Sequence, residues 1–114
     1  MRFTIPGKPQ AKQRPRVGKG GRIYTPRETA EYEAHVAHSW RAEEGLLIER
    51  DTAVRVEIYV SKDKVEVVIE PAPERRHTAK ADLDNIAKSV LDGLNGVAFD
   101  DDRQVAELLV VRLS

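Results

Sequence analysis

The chain has 114 residues, enough for one domain with an unaided core and with little room for a second. Its 40% hydrophobic and 5% aromatic content makes that core aliphatic, and the absence of cysteine excludes a disulfide scaffold, a thiol nucleophile and a thiolate zinc site. The formal net charge is zero, yet the signs are sorted: residues 1–27 carry eight basic residues and no acid, whereas 28–114 carry 11 basic and 19 acidic residues.

In chain order, Phe3-Thr4-Ile5 alternates as a strand does, and Pro6-Gly7 ends it. Residues 7–22 hold Gly, Pro, Lys and Arg with almost nothing apolar, which reads as a basic loop. Thr25-Pro26-Arg27-Glu28 predicts a helix start, with Thr as N-cap, Pro first and Glu third for a capping box. Tyr32, Val36 and Trp40, with Ala37 beside them, make one apolar stripe up to about Gly45. Val54, Val56, Ile58 and Val60 alternate with Arg55, Glu57 and Tyr59, predicting a half-buried strand. A second strand over 65–69, stopped by Pro71 and Pro73, forms a hairpin with it across residues 61–64.

A polar connection over 74–81 leads to a second helix over about 85–94. Ile86, Val90 and Leu94 form its apolar face, flanked by Ala87 and Leu91, and Asn95-Gly96 stops it. Residues 97–99 and 105–113 read as two further strands. The sum is one α+β domain over 1–114, a small mixed sheet with two helices packed on one face. The longest aliphatic run, 108–111, is too short for a membrane span, and the opening Met1-Arg2-Phe3-Thr4 lacks an apolar leader. A soluble cytoplasmic protein is expected.

Between residues 82 and 102 stand Asp82, Asp84, Asp92, Asp100, Asp101 and Asp102, against the single base Lys88. Asp82 and Asp84 address one point only if the helix begins after them; otherwise Asp84 caps it and Asp82 favours its dipole. A reversal at Asn95-Gly96 followed by six extended residues spans roughly 20 Å and would return Asp101 and Asp102 to the level of Asp82 and Asp84. Converging carboxylates need a cation, and all-oxygen donors select Mg²⁺ or Mn²⁺, with Ca²⁺ open. Lys88, four residues from both Asp84 and Asp92, is either a rung in a surface charge ladder or a point charge for a phosphate oxygen. His35 and His38, three apart on the first helix, could share a metal but read first as exposed helix histidines, and His77 sits in a polar loop.

Residues 80–88 (Lys-Ala-Asp-Leu-Asp-Asn-Ile-Ala-Lys), 91–97 (Leu-Asp-Gly-Leu-Asn-Gly-Val) and 101–105 (Asp-Asp-Arg-Gln-Val) resemble the signature block of the RusA family of Holliday junction resolvases. Pro6-Gly7-Lys8-Pro9, Lys12-Gln13-Arg14-Pro15-Arg16 and Tyr24-Thr25-Pro26 add a second match. The resemblance implies a homodimeric α+β endodeoxyribonuclease that cuts four-way DNA junctions with Mg²⁺. Carried over by position, Asp82, Asp84 and Asp102 are its metal-binding carboxylates, Lys88 its catalytic lysine and Asp101 an auxiliary. Ala81 stands where many relatives have Pro, and Asp100 adds a third consecutive acid. Lys8, Lys12, Arg14, Arg16, Lys19 and Arg22 are the expected DNA contacts, through phosphates. Two other readings compete: a metal-stabilised DNA-binding module that does not cut, and a small metal-bound scaffold for protein partners.

Overall fold

Alternation decides the first strand. Phe3 and Ile5 are buried while Arg2, Thr4 and Pro6 are exposed, making β1 (Arg2–Pro6) an edge strand with one apolar face. The computed structural model describes residues 1–49, 52–74 and 82–113. It divides into two compact units, Met1–Arg50 with Val54–Pro71, and Asp51–Ala53 with Ala72–Ser114. Residues 75–81, which include His77, Lys80 and Ala81, lie outside the described residues. The described elements are strands and helices in the α+β class.

Unit 1 contains β1, β2 (Arg16–Val17), β3 (Ile23–Tyr24), α1 (Arg27–Ala42), β4 (Val54–Val60) and β5 (Lys64–Pro71). Its main sheet has the order β1-β5-β4 and is antiparallel throughout, not mixed as expected. Phe3 pairs with Val67 and Ile5 with Val65. Directly opposed residues share a face, so these four form one buried patch, and α1 lays Tyr32, Val36 and Trp40 over it. The Trp40 ring meets Phe3 edge-on, with centroids 5.3 Å apart and planes at 68°. The stripe read from the sequence is therefore the one that packs.

Two expectations about unit 1 change. The helix begins at Arg27 with Pro26 in the N-cap position, and no side chain caps it, so the Thr25–Glu28 capping box is not formed. The β4 strand has the expected bounds but is exposed along its whole length. It is the edge opposite β1, and its Val56, Ile58 and Val60 continue the core face beyond the patch that α1 covers.

The C-terminus of α1 closes with paired bonds: Gly45 N–H donates to the Trp40 carbonyl and Glu44 N–H to that of Arg41. This is the Schellman pattern, with Glu44 rather than glycine in the left-handed position at φ 58°. Gly45 is required for a different reason. A Cβ there would run into the Trp40 indole.

Unit 2 holds α2 (Leu83–Leu94), which starts two residues earlier than read. Its buried side carries Ala87, flanked by the half-buried Leu83 and Leu91, while Ile86, Val90 and Leu94 are exposed. The expected apolar face is thus not the buried one. Residues 97–99 form a turn, closed by bonds from Gly96 N–H to the Phe99 carbonyl and from Val97 and Ala98 to Leu94. Residues 105–113 pair with no strand among the described residues, so neither of the two late strands forms. No helix among the described residues is long and apolar enough to cross a membrane.

Candidate functional site

The acidic site residues all belong to unit 2. Asp82 takes the N-cap position of α2, its carbonyl accepting from Ile86 N–H at 3.1 Å, but its carboxylate makes no capping bond. Asp84 lies in the first turn of the helix, and Lys88 follows one turn later; both are exposed. No ion pair ties Lys88 to Asp84 or Asp92 among the described residues, so the charge ladder is not formed.

Asp101 and Asp102 open a short 3-10 turn, Asp102–Gln104. Asp101 caps it: one carboxylate oxygen accepts from Arg103 N–H at 2.9 Å, the other from the Arg103 guanidinium at 3.1 Å. The Gln104 side-chain oxygen accepts from Asp101 N–H at 3.0 Å, completing a capping box. The Arg103 amide, and then its guanidinium, hold the Asp101 carboxyl below the usual carboxylate range. Both oxygens of Asp101 are thus engaged by Arg103.

Among the described residues, no three His, Asp or Glu side chains stand close enough together to hold a metal ion. Asp82, Asp84 and Asp102 have the donor chemistry for Mg²⁺, but this arrangement does not gather them. The cause is local. The return of Asp102 required residues 97–102 to be extended, and 97–99 fold into a turn instead. Three residues then remain to span roughly 10 Å, against the roughly 18 Å length of the 12-residue α2.

The basic segment belongs to unit 1, and it is more ordered than a loop. Gly7 N–H donates to the Asp63 carbonyl at 2.9 Å, and the His35 ring donates to the Pro6 carbonyl at 2.6 Å. Further along, Gln13 N–H donates to the Thr29 hydroxyl at 3.0 Å, which in turn donates to the Gln13 side-chain oxygen at 3.1 Å. Thr29 is buried, so this bond is a fixed anchor on α1. Lys12 pairs with Glu33 at 3.1 Å. Beyond these anchors β2 and β3 form a small antiparallel ribbon whose turn carries Lys19 and Arg22. Lys8, Lys12, Arg14, Arg16, Lys19 and Arg22 are all exposed.

Gln13, Thr29 and His35 position the arm without having been picked out for that role by sequence reasoning. The only available signal was their polarity on the α1 and loop sides of an otherwise cationic stretch.

Exposed cations on an anchored arm and its ribbon thus belong to one unit, and an exposed aspartate-bearing helix to the other. The sequence matches the family described as Endodeoxyribonuclease RusA over residues 6–114, and the chain belongs to that family. It is 32% identical to the uncharacterized protein YqaN of Bacillus subtilis (strain 168), over 96% of this chain and 84% of that protein. No solved structure matches the chain. The family is one of DNA endonucleases, and the match spans residues of both units.

Proposed function

We propose that this protein is a Mg²⁺-dependent endonuclease that resolves four-way DNA junctions in recombination and repair, as a cytoplasmic homodimer. The observation that carries the reading is the sorting of charge onto two surfaces. Unit 1 presents exposed cations on an anchored arm and the ribbon that follows it, and unit 2 presents exposed Asp82, Asp84 and Lys88 along one helix. Family membership over 6–114 supports treating both units as one endonuclease domain.

In this reading the ribbon and arm hold DNA by its phosphates, which fixes position without reading sequence. Lys88, free of an ion-pair partner among the described residues, offers its ammonium to a phosphate oxygen as charge develops during strand cleavage. Asp82, Asp84 and Asp102 supply oxygen donors for Mg²⁺ (or Mn²⁺ in its place), and binding would have to draw Asp102 toward the α2 N-terminus. The test is cleavage of a synthetic four-way junction in Mg²⁺ and in EDTA, alongside the Asp102→Asn variant. Cutting by the wild type in Mg²⁺ only, lost in Asp102→Asn while junction binding persists, is the expected result.

One observation favours a second reading, a DNA-binding module that does not cut. Among the described residues the carboxylates are not gathered. Junctions that are bound tightly and left intact in Mg²⁺ and Mn²⁺ would establish it.

A further inference from the structure

The ribbon carries two residues that phosphate binding does not use. Val17 and Ile23 are directly opposed across β2 and β3, so their side chains share one face, and they are 70% and 71% exposed. The other pair, Arg16 and Tyr24, occupies the opposite face. The turn between the strands is tightly held. Gly18 N–H donates to the Arg22 carbonyl at 2.7 Å, Gly20 and Gly21 adopt positive φ, and the Tyr24 ring lies against Gly18, where a Cβ would meet its Cε1 at 3.3 Å. The hairpin thus presents a braced apolar pair to solvent near its tip.

Charge decides among the candidate partners. Every Lys, Arg, Asp or Glu within residues 1–27 is basic. A second copy docking through the same face would bring these cations against their own kind, which is unfavourable. A polyanion is attracted instead, and a two-stranded ribbon has the width of a DNA groove. Val and Ile cannot hydrogen-bond base edges or phosphates. They can cover the apolar faces of bases that have lost a stacking neighbour, as side-chain wedges do at kinked steps. In continuous duplex those faces are already covered; at a strand exchange point that a bound protein holds open they are not.

We infer that Val17 and Ile23 form an apolar wedge that seats against unstacked bases at the branch point, so that the ribbon distinguishes branched from linear DNA. The inference rests on the junction-nuclease reading above and adds the residues that select its substrate. Phosphate contacts from Arg14, Arg16, Lys19 and Arg22 bring the ribbon to either kind of DNA, and the wedge is satisfied only at the branch.

The experiment uses the full chain in Ca²⁺, with a four-way junction carrying 2-aminopurine at the branch point and a linear duplex of matching sequence. The wild type should raise the junction's fluorescence and bind it more tightly than the duplex. The double variant Val17→Thr with Ile23→Thr keeps β-branched side chains and should preserve the ribbon. It should lose most of the fluorescence rise and about tenfold in junction affinity, the scale of a lost base contact, with duplex affinity within about twofold. Val17→Leu with Ile23→Leu should retain the wild-type response. The wedge is refuted if the wild type binds the junction without the fluorescence rise, if the Thr variant keeps it, or if both affinities fall equally. An altered sedimentation of the Thr variant with unchanged DNA response would assign the pair to a contact between copies, and also overturn it. A wild type that binds neither DNA removes the nuclease reading itself, a result distinct from all of these.

Discussion

Unit 1 buries the alternating residues of β1 and β5 under the stripe of α1 and leaves those of β4 open, whereas unit 2 leaves most of its marked residues exposed. Phe3, Ile5, Val65 and Val67 are covered by the stripe of α1. Ile86, Val90 and Leu94 follow an equally regular spacing on α2 yet remain open, as do the aliphatic residues 108–111. The difference lies in the partner. In unit 1 an antiparallel sheet supplies a flat apolar face, and in unit 2 the described residues form no strand to receive the helix. Periodicity reports a capacity for burial, and a facing surface realises it.

The largest stability effect should therefore fall in unit 1. Phe3→Ala removes a ring that is buried and in edge contact with Trp40, and should cost about 3–5 kcal/mol in urea unfolding. A loss below about 1 kcal/mol would mean that the Phe3–Trp40 packing is not what holds the unit together. Lys88→Ala sharpens the comparison from the other side. If unit 2 keeps its exposed charges for chemistry, single-turnover junction cleavage should drop at least about a hundredfold, near 2.7 kcal/mol in barrier. Its melting temperature should scarcely move, and a variant cutting within a few-fold of wild type would return Lys88 to the solvated surface.

Gly45→Ala probes how tightly unit 1 is fitted. The added methyl meets the Trp40 indole, so overpacking of about 1–3 kcal/mol is expected. In unit 2, Val90→Ser on the open face should change stability by no more than about 0.5 kcal/mol; a larger loss would show that this face is covered in solution.

The smallest effect concerns pH. Arg103 holds the Asp101 carboxyl low, so its folded value lies below the unfolded one. The stabilisation is thus present above the ordinary carboxylate range and is lost as pH falls through the lowered value. A carboxyl-carbon NMR titration should find Asp101 ionising below the usual carboxylate range, and Arg103→Ala should move it back up.

Much of unit 1 was legible in the sequence because its signals are local and periodic. Val54–Val60 alternates without interruption, and Tyr32, Val36 and Trp40 recur every fourth residue. The β2–β3 ribbon was missed because two-residue strands show no alternation. Its one trace was Val17 and Ile23, apolar on either side of a glycine-rich turn. The expected strand over 105–113 failed for the opposite reason: a continuous aliphatic run states no partner. For the candidate site, the chemistry of the donors could be read from residue type, while their convergence depended on residues 97–99 being extended. Gly96, at φ 80°, instead begins a turn whose bonds close locally.

The pairing of β1 with β5 sets a schedule for synthesis. Arg2 finds its register partner only at Val68, whereas β4 and β5 are joined by the short turn closed between Ser61 and Lys64. During synthesis β1 thus waits, unpaired, until β5 has followed it. The hairpin closes first because its loop is short, and it presents Val65 and Val67 as a ready template when β1 arrives. Nascent chains arrested before residue 64 should accordingly carry Phe3 and Ile5 exposed, with α1 as the nearest surface on which to shelter them.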